Sequence, residues 1–453
     1  MTPPFVPFID QAIYLAATAG GQHAVIQVLW RYNRPVDLVA LARFREGLVQ
    51  GRLARLIRAA RLPFGRHQWV SAPASIADFK TDAAPLDPLA IQAWADAQVA
   101  LPLDPSRGPG WNLTMQAFSD GSTVVSFVVS HCISDGMSTA LAIKEAARTE
   151  PFARSASANA VQGPLVGLAG EVWRAAKDMP ATVQALGHLV RKAYAARKDH
   201  KAFKTRTRSM APTPPKMTAA AQDRLASYPS YMVHLPASVW DAKARTLGTN
   251  RLTLLTALTA TLAQSLGRVR EDHVTLLHPV NQRSSATDTG GNRVKLATLK
   301  VAMKVGHIDL KSLKRQLQST LVQTRRDPEP MEKLLPLVPF IPGRAFSAAG
   351  NLALGTGLPV TCSYLGDWSD EVIRIDGTRA DGFGFRGVDR LVRVKSIEAR
   401  EGVASVFASV IAGRFCLSFV VYQPGLVETH DHLRSLAHQI LSQYDLQAQP
   451  FDA

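Results

Sequence analysis

The stretch Ser126–Met137, SFVVSHCISDGM, decides how the chain is read. An apolar, β-branched run ends in His131, and Asp135 and Gly136 follow in the spacing His-x-x-x-Asp-Gly. The run reads as a buried strand that carries a histidine to its own end. A tight turn comes next, then a helix over 138–148 with apolar residues at Ala140, Leu141, Ile143, Ala146 and Ala147. Imidazole is the side chain that exchanges protons near neutral pH, and a strand end is a place from which it can face a cleft. These residues leave two readings open: a base in an active site, or a satisfied core histidine beside an ordinary Asp-Gly turn. Cys132 and Ser134 are nearby nucleophiles, but on an extended chain Cys132 alternates away from His131, and both read as structural.

Upstream, AVIQVLW at 24–30 reads as a buried strand and Asp37 as the cap of a helix over 37–61. Arg43, Arg45, Arg52, Arg55, Arg58 and Arg61 crowd that helix and read as a solvated face. Asp87-Pro88 opens a further helix to about Val99, and Asp120-Gly121 is a hairpin turn into the 122–130 strand. Downstream, a Ser/Ala/Asn-rich stretch at 151–163 and APTPP at 211–215 mark boundaries. Between them, 165–197 has helical periodicity interrupted at Pro180 and Gly187 and ends in a basic run. That run suits a linker helix with its charge in water or an interfacial helix on anionic lipid. A second set of strands and helices follows, with strands at 230–235, 273–277, 295–303, 360–364, 391–397, 403–411 and 415–422. The divisions are therefore an N-terminal lobe, 1–155, a helical basic linker, 156–225, and a C-terminal lobe, 226–453, in the α+β class.

With 453 residues, 46% of them hydrophobic, the chain has ample material for two cores. Three cysteines without a Cys-x-x-Cys pair argue against a disulfide framework or a thiolate metal site, so no metal is expected. No run approaches the roughly 18 apolar residues of a membrane span, and the N-terminus lacks the basic and apolar segments of an export signal. A cytoplasmic protein is expected, with a peripheral place at the inner face of the membrane or on lipid inclusions as the variant. The net charge of +16 invites nucleic acid, an anionic lipid surface, or phosphorylated and acidic carriers. With 7% aromatic residues and no nucleic-acid-binding motif, nucleic acid is excluded.

Two more stretches weigh on the choice at His131. HPVNQR at 278–283 closes a strand and GGNRV follows at 290–294. Together with the histidine motif they resemble the Pro-Val-x-x-Arg and Gly-Asn-Arg-Val elements of the bacterial wax ester synthase/diacylglycerol acyltransferase family. That family lies within the CoA-dependent, condensation-type acyltransferases that carry His-His-x-x-x-Asp-Gly. FIDQAIYL, LPFGRHQWV and LPLDPSRGPGWNL, with Trp111, resemble further family segments in order, and Asn250 stands where the family's Asn-Asp element falls. The departures are Ser130 at the first motif histidine, Gly110 before Trp111, and Arg251 after Asn250. ADGFGFRG at 380–387 reads as a glycine-rich turn.

The resemblance implies two chloramphenicol-acetyltransferase-like lobes forming a pseudo-dimer, with an active-site tunnel between them. It implies an acyltransferase that moves a fatty acyl group from acyl-CoA to a long-chain alcohol or diacylglycerol, with acyl-CoA as co-substrate and no bound cofactor. His131 is then the general base, and Asp135 pairs with an arginine of the other lobe, for which Arg283 is the candidate. Gly136 supports the oxyanion, and Trp111, Asn250, Asn281 and Asn292 are tunnel or motif positions. The rival readings are a condensation or polyketide-associated acyltransferase served by an acyl carrier protein, and a catalytically silent acyl-binding relative.

Overall fold

The computed structural model describes residues 5–20, 23–72, 84–148, 164–203, 223–226, 228–303, 308–327, 332–342 and 359–452. The stretches 151–163 and 211–215, read above as boundaries, lie outside these residues, as does the 155/156 division. The first lobe runs α1 (Phe8–Gly20), β1 (His23–Tyr32), α2 (Leu38–Gln50), β2 (Arg55–Arg58), β3 (Gln68–Ser71), α3 (Ile91–Ala100), β4 (Trp111–Ala117), β5 (Thr123–Ser130) and α4 (Gly136–Ala147). A helix of 40 residues, α5 (Pro164–Phe203), follows. The second lobe holds β6 (Ser230–Pro236), α6 (Ala237–Thr246), α7 (Arg251–Ser265), β7 (His273–Asn281), β8 (Val294–Ala302), α8 (Leu310–Arg326) and β9 (Val360–Trp368). It continues through β10 (Gly382–Arg390), α9 (Val394–Glu398), β11 (Val403–Ile411), β12 (Arg414–Tyr422), α10 (His430–Gln443) and β13 (Gln449–Pro450).

Two sheets, a wholly antiparallel one of four strands and a mixed one of seven, carry the architecture expected of the paired α+β lobes. One has the order β10-β1-β5-β4 and the other β13-β6-β12-β11-β9-β7-β8. β5 is buried along its whole length because sheet neighbours lie on both edges, α3 packs against it, and Val125, Phe127 and Val129 share a core with side chains of α2 and α4. In the second lobe α7 is buried on every side from Thr253 to Ala263 and forms the centre of the larger core. Among the described residues no helix is long and apolar enough to cross a membrane.

The two lobes do not divide cleanly at residue 226. β10 leaves the C-terminal lobe and pairs with β1 along nine residues, from His23↔Arg390 to Arg31↔Gly382. Its buried Arg386 then bonds both lobes. Nε donates to Gln27 Oε1 at 2.7 Å, Nη2 pairs with Asp96 at 2.7 Å, and Nη1 reaches the Ser230 hydroxyl. The glycine-rich turn expected at 380–387 is thus the strand that stitches the lobes together. The strand expected at 391–397 is instead the short helix α9. Glycines stand in β10 because the crossing is tight: a Cβ on Gly384 would come within 2.7 Å of Met232 Sδ, and one on Gly382 within 2.6 Å of the Phe451 carbonyl oxygen.

Two further expectations change. The helix capped by Asp37 ends at Gln50, and Arg52 and Arg55 beyond it are buried rather than solvated. Helix α5 runs unbroken through Pro180 and Gly187, both on its exposed side, where water can satisfy the carbonyl that proline leaves without a donor. Glu171 fixes α5 to the first lobe by accepting from the backbone N–H groups of Arg61 at 3.0 Å and Leu62 at 3.1 Å.

Because a backbone oxygen cannot step aside, Gly382→Ala is expected to lower the unfolding free energy by about 2 kcal/mol in urea titration. Gly170→Ala, on α5 with nothing within 4 Å of the new Cβ, serves as the contrast. It should leave stability unchanged or raise it by up to about 1 kcal/mol.

Candidate active site

Where the sheets face each other the protein encloses a cavity of about 960 Å³. His131 stands in its wall, one residue past the end of β5, with its backbone N–H donating to Ala24 O at 2.9 Å. The ring's Nδ1 is shut away from water with no hydrogen-bond partner, which leaves Nε2 as the atom available for proton exchange. His131 O accepts from Asn292 Nδ2 at 2.7 Å, so the peptide carrying the imidazole is held from the second lobe.

Asp135 is fully engaged. Oδ1 caps α4 by accepting from Ser138 N at 2.7 Å, and Oδ2 accepts from Arg283 Nη2 at 2.8 Å and Arg293 N at 2.9 Å. Neither side chain of the Asp135–Arg283 pair is more than 3% exposed. Arg283 also donates through Nη1 and Nη2 to the carbonyls of Asp288, Gly290 and Gly291, and so folds the 283–291 loop over the motif turn, while its buried Nε has no hydrogen-bond partner. With both oxygens bound, Asp135 is arranged to position rather than to exchange protons. Gly136 opens α4 in the cavity wall beside Leu365, where the helix N-terminus presents its unbonded N–H groups.

The other sequence candidates divide. Asn292 lines the cavity and its amide bridges His131 O to Asp10. Asn281 lies at the exposed end of β7, on the cavity rim, and accepts from Arg283 N at 3.0 Å. Asn250 is the N-cap of α7 and bonds Thr253 N and Oγ1, both at 2.9 Å. Trp111 is buried in the first lobe's core against Phe127, with ring centroids 5.8 Å apart. Neither Asn250 nor Trp111 lines the cavity. Cys132 is buried with Sγ 3.0 Å from Ser130 Oγ, and burial pushes its thiol up to about 12. Ser134 is buried and bonded to Thr139 Oγ1 at 2.9 Å. Neither side chain is set up as a nucleophile.

Four residues that the sequence did not single out belong to this site. Asp10 on α1 accepts from Asn292 N at 2.8 Å and from its side-chain amide. Burial raises its carboxyl from the usual carboxylate range to about 7, against the opposing pull of Asn292 and Arg55. A Cβ on Gly291 would fall 1.8 Å from Asp10 Oδ2, which is why a glycine precedes Asn292. Arg55 donates to Thr289 O at 2.6 Å and to Ile133 O, tying the motif turn to the loop over it. Asp389 of β10 pairs with Ala24, the same residue that receives His131 N–H, so it shares a face of the sheet with His131. Burial raises its carboxyl, opposed by Arg400, His131 and His23. His278 lines the cavity from β7, and burial pushes its imidazole down to about 4. The signals available for Asp10 were an acidic residue in the apolar opening of α1 and the family resemblance of FIDQAIYL; Asp389 was hidden by reading its strand as a turn.

No family model and no curated protein sequence matches the chain. Solved structures do. Polyketide synthase associated protein 5 from Mycobacterium tuberculosis superposes with a TM-score of 0.56 at 12% identity, covering 98% of each chain. The starter condensation domain of rhizomide synthetase, crystallised with C8-CoA, gives 0.55 at 15% identity over 100% of this chain and 97% of that one. The first condensation domain of the CDA synthetase gives 0.52 at 17% identity over 100% and 97%. The fold is therefore that of condensation-type acyltransferases, with its two chloramphenicol-acetyltransferase-like lobes; at these identities the likeness speaks to fold alone.

Asp10 supplies a test of the network. Its folded pKa stands above the unfolded value of 3.8, so its contribution to stability is full below about pH 4 and is lost as pH rises towards about 7. Asp10→Asn should remove that decline: across this window, urea unfolding of the wild type should weaken relative to the variant.

Proposed function

We propose that the protein transfers a fatty acyl group from a thioester, acyl-CoA, to the hydroxyl of a lipid alcohol, a long-chain alcohol or diacylglycerol. The products are a wax ester or triacylglycerol. The observation that carries this reading is an apolar cavity of about 960 Å³ with a single-sided imidazole in its wall. Ile9, Ile13, Ile26, Val388, Phe407 and Val420 give it the character of a site for a hydrocarbon chain. His131 Nε2 takes the acceptor's hydroxyl proton as the oxygen attacks the thioester carbonyl. The C–S bond breaks as the C–O bond is completed, and the proton passes to the departing thiolate. Positive potential at the start of α4, beside Gly136, supports the oxyanion. The buried states of Cys132 and Ser134 favour this direct route over an acyl-enzyme. The same site accepts a thioester borne by a carrier protein, and the names of the structural neighbours favour keeping that donor as the second reading.

Helix α5 gives the acceptor a surface to come from. Leu168, Val172, Met179, Val183, Leu186, Val190 and Tyr194 are 39–72% exposed at spacings of 4, 7, 4, 3, 4 and 4. These spacings draw one apolar stripe about 39 Å long. Trp173 lies beside it with Lys177 Nζ 4.9 Å from its ring, and the exposed Arg191 lies on the same side as Trp173. An apolar stripe edged with cations and aromatic residues on a chain of charge +16 fits an anionic lipid surface.

Two measurements check these statements. With palmitoyl-CoA and hexadecanol or dioleoylglycerol, His131→Ala should lose about 10²- to 10⁴-fold in ester formation with an unchanged melting curve; an active wild type that loses nothing rules out the base. Running the assay with an acyl carrier protein thioester decides between the donors. In co-sedimentation with vesicles containing phosphatidylglycerol, the wild type should pellet at low salt and Val183→Glu/Val190→Glu should stay in solution. Equal pelleting of both would rule out the α5 surface.

A further inference from the structure

Ala24 on β1 stands between the candidate base and a second ionisable group. On one edge its carbonyl accepts from the backbone N–H of His131 at 2.9 Å, one step past the Val25↔Ser130 pair. On the other edge it pairs with Asp389 of β10. Residues opposite one another on paired strands point to the same face, so imidazole, methyl group and carboxyl form one row across the sheet. All three residues line the cavity. Two strand spacings set the Cα atoms of His131 and Asp389 about 10 Å apart, with only the Ala24 methyl between their side chains.

Proton transfer creates a positive charge in this row. When His131 Nε2 takes the acceptor's proton the ring becomes an imidazolium, and its Nδ1 is shut from water without a partner. A desolvated cation needs an opposite charge within reach. Asp135 has both oxygens bound and pairs with Arg283, and Asp10 is tied to Asn292 beside Arg55. Asp389 is less committed. Its ion-pair partner, Arg400 just past α9, stands at 3.8 Å, gives its Nε to Ser396 O and leaves Nη2 without a partner. His23 of β1 and Tyr228 ahead of β6 complete the titratable surroundings of Asp389. Of the other ionisable groups lining the cavity, Arg386 pairs with Asp96, Tyr364 donates to Asp367, His278 is pushed down to about 4 by burial, and Arg325 lies at the end of α8. Burial raises the Asp389 carboxyl, and Arg400, His131 and His23 pull it back down. Coulomb attraction is reciprocal: whatever His131 does for the carboxylate, the carboxylate does for the imidazolium.

We propose that Asp389 is a positioning residue of the site, whose carboxylate, across Ala24 from His131, balances the charge the imidazole gains on taking the acceptor's proton, with Arg400 limiting the effect. Its catalytic purpose rests on the acyl-transfer reading, whereas the coupling itself belongs to the ligand-free protein. An influence exerted through space depends on charge rather than on one hydrogen bond. Asp389→Asn, close to the same shape, therefore loses it and Asp389→Glu keeps most of it.

Histidine labelled with ¹³C at Cε1 lets the His131 ring be titrated by NMR in the full chain, its signal identified by its absence from His131→Gln. Asp389→Asn should weaken proton binding by His131 about tenfold, Asp389→Glu should change it little, and Arg400→Met should strengthen it about threefold. In ester formation from acyl-CoA, Asp389→Asn should lower kcat about three- to tenfold with KM little changed, and its rise of kcat/KM with pH should begin at lower pH. Arg400→Met should move that rise to higher pH. Displacements of opposite sign set this role apart from a loss of packing, which would not reverse between the two variants. A His131 titration that is the same in wild type, Asp389→Asn and Arg400→Met would overturn the proposal. Displaced titrations in a protein that forms no ester would uphold the coupling and count instead against the acyl-transfer reading.

Discussion

The buried pair between Asp135 and Arg283 is the constraint from which the site follows. A carboxylate and a guanidinium out of water are costly unless their lone pairs and N–H groups find partners, and here the α4 cap, the Arg293 N–H and carbonyls of the 288–291 loop meet all but the Nε of Arg283. Such a pair adds little net stability over a hydrophobic replacement. What it fixes is geometry: the motif turn of one lobe is locked to a loop of the other. Asn292, carried on that loop, then reaches His131 O and Asp10. The imidazole is thus held through its own backbone, which leaves the ring's open side to the cavity.

The rest of the interface repeats the same logic with different chemistry. Arg52 and Arg55 reach from the first lobe to the carbonyls of 286–289, and Arg386 on the crossing strand reaches Gln27, Asp96 and Ser230. Guanidinium groups suit this work because their rigid fork can meet several fixed acceptors at once. A cavity walled by two lobes keeps its shape only if the lobes cannot slide, and these arginines oppose sliding.

Much of this was legible in the residues. The β-branched run before His131, the Asp-Gly turn and the helix behind it are local signals, and the structure places strand, turn and helix there. The likeness of HPVNQR and GGNRV to family motifs brought Arg283 and Asn292 to the site, and both are in contact with the turn. What could not be read depends on partners distant in sequence. Gly384 and Gly387 read as turn residues because nothing local reveals that Met232 and Phe407 press against them. Arg52 and Arg55 read as a solvated face because their acceptors, Glu145 and Ile133 in the first lobe and the carbonyls of 286–289 in the second, are all distant in sequence. His278 was quoted only as part of a motif, since its burial and missing partner exist only once the sheet is assembled.

The central claim is that the interlobe ion pair sets the position of the base, and a double-mutant cycle tests it most directly. Asp135→Asn, Arg283→Gln and the double variant would be compared in the rate of ester formation from acyl-CoA. Each single change is predicted to cost nearly as much as both together, a coupling of about 2 kcal/mol. Additive losses would mean that the two side chains act independently and would contradict the account.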